Sequence, residues 1–116
     1  MREFNSFIDA RGTPMLDAFL AAIPAKDANR IALMLQGLVT VERLGQPYFK
    51  RFAGYPFWFG ELILGAYRIF IHRLSAQPGQ EVYLMVHAFR KKTNETPQAE
   101  LDAATRNIIR YYEAQN

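Results

Sequence analysis

The sequence predicts an α+β domain in the order β-α-α-β-β-β-α, a small antiparallel sheet with two N-terminal helices on one face and a C-terminal helix. Apolar residues recur at spacings of three and four from Ile31 to Leu44 and again from Leu101 to Ile108, which is the helical period. Between them, from Phe57 to Phe89, short runs rich in aromatic and β-branched residues are separated by turn-forming residues. At 116 residues and 50% hydrophobic, with nine Phe, six Tyr and one Trp, the chain can fill one core, so residues 1–116 are expected to form a single domain.

A short first strand is expected around Phe4, Ser6 and Ile8, ended by the Arg11-Gly12 turn. Thr13 and Pro14 read as an N-cap followed by proline at the first helical position, opening a helix with Met15, Leu16, Phe19 and Leu20 on its apolar face and an end near Pro24. The second helix runs from about Ala25 to Leu44, with Gly45 as its C-terminal cap and Gly37 marking close packing on the first helix. Strands follow at Phe57–Ile63, Tyr67–Arg73 and Glu81–Phe89, joined by Leu64-Gly65-Ala66 and by the loop from Ser75 to Gln80. Thr96 and Pro97 start the last helix, whose stripe is Leu101, Ala104, Ile108 and Tyr112.

Alternation along the strands assigns faces. Val82, Leu84, Val86 and Ala88 form an aliphatic row expected under the first two helices with Tyr67, Ile69 and Ile71, leaving Tyr83, Met85, His87 and Phe89 on the other side with Arg68, Phe70 and His72.

With no cysteine, the chain has no disulfide, thiolate metal site or cysteine nucleophile, and a cytoplasmic location is the default. Met1 to Ala10 carries both charge signs and lacks a signal-like apolar stretch, and Ile31 to Val41 is about half of the ~20 residues a membrane helix needs. Charge is concentrated: from Lys50 to Lys92 there are seven cations and two acids, against seven cations and nine acids elsewhere. A local excess of this kind suits a polyanionic partner.

The segment V-H-A-F-R-K-K-T-N-E-T-P, Val86 to Pro97, places a strand end, the cations Arg90, Lys91 and Lys92 and a helix start within twelve residues. Cations grip phosphates and aromatic faces stack on splayed bases, so a cleft combining these cations with Arg68, His87 and Tyr83 fits a single-stranded nucleic acid.

H-A-F-R-K-K-T-N-E-T-P and its continuation to Ala104, together with E-L at Glu61-Leu62 and Y-R-I-F at Tyr67 to Phe70, resemble the RelE/HigB superfamily of bacterial toxins, in particular its phage-derived branch. The resemblance implies a RelE-like fold and a ribosome-dependent mRNA endoribonuclease that works without a metal or other cofactor, the substrate's own 2′-hydroxyl attacking the phosphate. Its partners would be the ribosome, mRNA and a cognate antitoxin of helix-turn-helix type, with no membrane involved. Carried over, Arg68 is the phosphate clamp, Lys91 and Lys92 match the double lysine, and His87 is a candidate general base. Lys50, Arg51, Arg90 and Tyr67 complete the expected RNA-binding set. Where the family has an arginine two positions after the glutamate, this chain has Ile63.

Plainer readings stand beside these. Arg68 can pair with Glu61 across the hairpin, His87 can be a satisfied structural or substrate-orienting histidine, and His72 matches no motif and reads as strand filler. Trp58, Phe57 and Phe59 read as core or partner-facing residues. The alternative to a nuclease is a non-catalytic phage protein of the same fold that binds RNA, DNA or a host protein through its basic face.

Overall fold

Pro78 and Gly79 make a two-residue reversal, Gly79 at φ +80°, a region L side chains avoid. They join the two long strands that form the spine of the sheet, β4 (Tyr67–Gln77) and β5 (Gln80–Arg90). In the computed structural model, which describes residues 1–115, the other elements are β1 (Arg2–Ser6), α1 (Met15–Ala21), α2 (Ala25–Thr40), β2 (Phe49–Arg51), β3 (Gly60–Leu64) and α3 (Gln98–Gln115). The sheet order is β1-β5-β4-β3-β2, antiparallel except that β1 lies parallel to β5. The fold is α+β, as the sequence predicts.

Both faces of the sheet are covered. On one, Ile31, Leu35 and Leu38 of α2 pack with Leu62, Leu64, Ile69, Ile71, Tyr83 and Met85. On the other, Ala104 and Ile108 of α3 pack with Phe7, Phe59, Phe70, Leu84, Val86 and Phe89. The aliphatic row read from alternation is therefore split: Leu84 and Val86 lie under α3, while Tyr83 and Met85 lie under α2.

The cause is a β-bulge. Phe70 pairs with His87 and Ile71 with Met85, so Val86 is an extra residue and the phase of β5 flips there. Beyond the bulge His87 contacts Phe70 and Phe89 on the α3 face, and Ala88 returns to the α2 face. A second register shift between Arg73 and Ser75 leaves Leu74 as an extra residue of β4, on the α3 face it shares with Phe70 and His72 by alternation.

Several boundaries differ from expectation. Three-residue β2 carries too little pattern to be seen in sequence, β3 begins at Gly60 and not Phe57, and the expected Ser75–Gln80 loop is mostly strand. Pro14, not Thr13, occupies the N-cap position of α1 and no side chain caps it; Asp9 instead accepts from the backbone N–H groups of Arg11 and Thr13 at 2.9 Å. Helix α2 stops at Thr40, well before Gly45, and a Cβ at Gly37 would meet nothing within 4 Å, so close helix packing is not its role.

What ends α2 is a side chain from the other end of the domain. Arg2 of β1 is buried, donates to the carbonyls of Leu38 (3.4 Å), Val41 and Glu42 (3.2 Å), and has its Nε 2.8 Å from Glu81 Oε1. A cation there satisfies orphan carbonyls and complements the negative helix end. Arg2→Ala leaves these groups and Glu81 without a partner and is expected to cost about 3–5 kcal/mol in urea unfolding, with Arg2→Lys recovering only part because an ammonium cannot span the same carbonyls.

Candidate nucleic-acid interface

Pairing across the sheet defines the α3 face residue by residue. Lys50 pairs with Glu61, Glu61 with Phe70 and Phe70 with His87, and in the next row Ile63 pairs with Arg68 and Arg68 with Phe89. Directly paired residues share a face, so Arg68 is the diagonal neighbour of both Glu61 and His87, at the ~7–8 Å typical of that relation. Lys50, Glu61, Arg68 and His87 thus share the α3 face, around the buried Phe70. The alternation that puts Phe89 here carries Lys91 to the same side, and the Lys91 N–H prolongs the ladder by donating to Ala66 at 2.8 Å.

Arg68 is held by its own turn. Its Nη1 donates to the carbonyls of Gly65 (2.7 Å) and Tyr67 (3.0 Å), its Nε is buried without a partner, and no protein partner is recorded for Nη2. The guanidinium is fixed in place with donors still to satisfy. No ion pair joins it to Glu61 among the described residues. Glu61 is only 3% exposed and its Oε2 accepts no hydrogen bond.

His87 is half-buried, its ring stacked on Phe89 at 5.9 Å, with Nε2 3.3 Å from Glu100 Oε1 in the first turn of α3. A carboxylate only accepts, so Nε2 carries the proton in that contact and Nδ1 is left as the acceptor nitrogen of the neutral ring.

Other expected site residues lie elsewhere. Tyr67 faces α2: its hydroxyl donates to Asp27 Oδ2 at 2.6 Å, which raises its pKa above 10.0, and Arg90 is paired with it on that face. Arg51 sits over Trp58 at 5.2 Å, with Arg73 at 5.1 Å over the same ring, also on the α2 side. Tyr83 is buried there as well. Lys92 is exposed in the link to α3. Of three consecutive cations only Lys91 shares the side of Arg68 by alternation, because a strand cannot aim neighbours at one cleft.

His72 is not filler. It is 4% exposed, with Nδ1 2.8 Å from the Trp58 carbonyl and Nε2 2.6 Å from the Tyr112 hydroxyl, and so ties β4 to α3. The signal for it in sequence was its phase: it alternates with Phe70 toward a face that proves to be core. Burial lowers its pKa from 6.5, opposed by its bond to the Trp58 carbonyl, and burial also raises that of Tyr112.

Two outcomes are expected. Because the folded-state pKa of His72 lies below 6.5, the unfolded chain takes up its proton first on acidification; the stabilising contribution is complete above pH 6.5 and is lost as the pH falls through the folded value. Urea midpoints between pH 7.5 and 5 should fall less steeply for His72→Gln than for the parent. Separately, Glu61→Gln removes a buried charge with an unpaired oxygen and is expected to leave stability equal or raise it by about 1–3 kcal/mol, measured by the same titration.

Among curated proteins, none matches the chain. The family model described as "Phage derived protein Gp49-like (DUF891)" matches residues 18–108, which run from α1 through every strand after β1 and into α3. That is more than three quarters of the chain and includes Arg68, His87 and the lysine pair; the chain belongs to the Gp49-like phage-derived family, within the RelE/HigB-like toxin group.

Proposed function

We propose that the protein is the toxin of a type II toxin–antitoxin system, a ribosome-dependent mRNA endoribonuclease held in check by a small antitoxin. The observation that supports this reading is that Arg68 is the diagonal neighbour of both Glu61 and His87 on one face of the sheet, with Lys50 on the same side and Lys91 carried there by alternation.

RNA offers its own nucleophile, so the protein needs only to hold the phosphate and move two protons. His87 Nδ1 takes the proton of the 2′-hydroxyl while Glu100 stabilises the imidazolium through Nε2. The 2′-oxygen attacks phosphorus, the bond to the 5′-oxygen breaks, and a lysine ammonium, Lys91 or Lys92, protonates the leaving oxygen. The products are a 2′,3′-cyclic phosphate and a 5′-hydroxyl. Arg68 donates to the phosphoryl oxygens as charge accumulates, an interaction that counts for most in the transition state. Lys50 extends the cationic side along the strand.

The second reading, a non-catalytic RNA-binding protein of the same fold, draws on Ile63. It stands directly opposite Arg68, where the family pattern has a second arginine, and leaves the clamp with one guanidinium.

Induced expression should arrest growth and leave codon-linked mRNA cuts whose 5′ ends ligate only after kinase treatment. Arg68→Ala is expected to lower cleavage on programmed ribosomes by about 10²–10³-fold, the loss typical of one transition-state donor. Ribosome binding by the parent with messages left whole would select the second reading.

A further inference from the structure

A second cationic hollow lies on the opposite side of the Gly65-Ala66 turn from the Arg68 side chain. It measures about 160 Å3 and is lined by Asp27, Arg30 and Ile31 of α2, by Leu64 to Tyr67 of the turn, and by Arg90. This is below the ~300 Å3 at which cavities take drug-sized ligands, so it suits one small group.

Its chemistry is specific. Arg30 and Arg90 are both exposed, and among the described residues neither has a carboxylate within 4 Å or a side-chain hydrogen bond to the protein. Arg90 is near enough to the Tyr67 hydroxyl to oppose the rise in its pKa. The same lining holds a carboxylate, Asp27, which would repel a bare anion. Asp27 is nevertheless oriented: Tyr67 donates to its Oδ2, and Oδ1 remains free to accept. Two unpaired guanidiniums beside one fixed acceptor match a ribonucleotide, whose phosphate takes the cations and whose 2′-hydroxyl needs an acceptor.

We infer that this hollow is a ribonucleotide subsite, Arg30 and Arg90 binding a backbone phosphate and Asp27, oriented by Tyr67, accepting a ribose 2′-hydroxyl. The inference rests on the RNA-binding reading above and extends it: the strand crosses the Gly65-Ala66 turn from the Arg68 side, so the bound RNA is longer than the cut site alone requires. Tyr67 and Arg90 act on RNA from the face opposite to Arg68, and Asp27 lets the protein distinguish RNA from DNA.

The test is fluorescence anisotropy of the whole chain with a labelled single-stranded RNA 12-mer and the DNA of the same sequence, at several salt concentrations. Arg30→Ala and Arg90→Ala should each weaken RNA binding about tenfold and reduce the salt slope by about one, whereas Arg11→Ala, exposed and outside the lining of the hollow, should do neither. Asp27→Asn keeps an acceptor for Tyr67 but presents an amide donor to the ribose, so the preference for RNA over DNA should fall to near one with DNA affinity unchanged. Tyr67→Phe, which leaves the carboxylate unanchored, should reduce the same preference and serves if Asp27→Asn melts early. If Arg30→Ala and Arg90→Ala bind like Arg11→Ala while Arg68→Ala weakens binding, the subsite is refuted and the RNA reading stands. A parent that binds neither oligonucleotide refutes the subsite, while the nuclease reading stands or falls separately on cleavage with programmed ribosomes, and an Asp27→Asn and a Tyr67→Phe that retain the RNA preference refute the ribose contact.

Discussion

The hydrogen bond from Asn107 Nδ2 to the Val86 carbonyl, 2.8 Å long, joins α3 to the bulge in β5. A bulge disrupts the ladder and leaves its extra residue unpaired, and a buried carbonyl in that state is costly. The asparagine meets the need from the helix that covers this face. Were Val86 paired and the alternation unbroken, the phase that puts Leu84 under α3 would send His87 and Phe89 to the α2 side, away from Arg68 and Phe70. The arrangement at the sheet end therefore depends on this one irregularity and on the side chain that satisfies it.

That dependence explains what could be read from the sequence. The helical periods of α2 and α3, the existence of β3, β4 and β5, and the shared face of Arg68, Phe70 and His72 all follow from local pattern, and each survives in the fold. The side of His87 and Phe89 was also inferred correctly, but from an unbroken alternation that misplaced Val82, Leu84 and Val86 and sent Tyr83 and Met85 to the wrong layer. A bulge adds one residue to a strand without a distinctive residue type, so no period reveals it. The parallel pairing of β1 and the capping of α2 by Arg2 are equally silent, since both join positions more than thirty residues apart.

Covering both faces of the sheet also decides where charge can go. Arginine and lysine are rarely buried, so with α2 on one side and α3 on the other Arg68 of β4 and Arg90 of β5 lie at the sheet end, where the layers stop, while Arg73 lies over the Trp58 ring. The strand pleat then divides them, Arg90 and Tyr67 to the α2 side, Arg68 and Lys91 to the α3 side. A polyanion laid across that end meets both sets, separated only by the Gly65-Ala66 turn. The charge excess from Lys50 to Lys92 is thus spread around an edge and not collected in one cleft, which suits an extended strand better than a single phosphate.

Helix α3 contributes to both stability and the site through polar side chains spaced along one side: Glu100 meets His87, Asn107 meets Val86, and Tyr112 meets His72. Each contact satisfies a group on the sheet, so the helix fixes the imidazole near Arg68 as well as the core beneath it. The unsatisfied atoms fall elsewhere. Of the three buried side-chain atoms without a hydrogen bond among the described residues, Arg2 Nε still lies 2.8 Å from a carboxylate, whereas Glu61 Oε2 and Arg68 Nε belong to diagonal neighbours on the α3 face. Folding alone would favour closing such a pair, because each open partner costs free energy. A carboxylate and a guanidinium left open as diagonal neighbours, in a sheet that satisfies nearly everything around them, are the local departure from full pairing on which the proposed phosphate clamp rests.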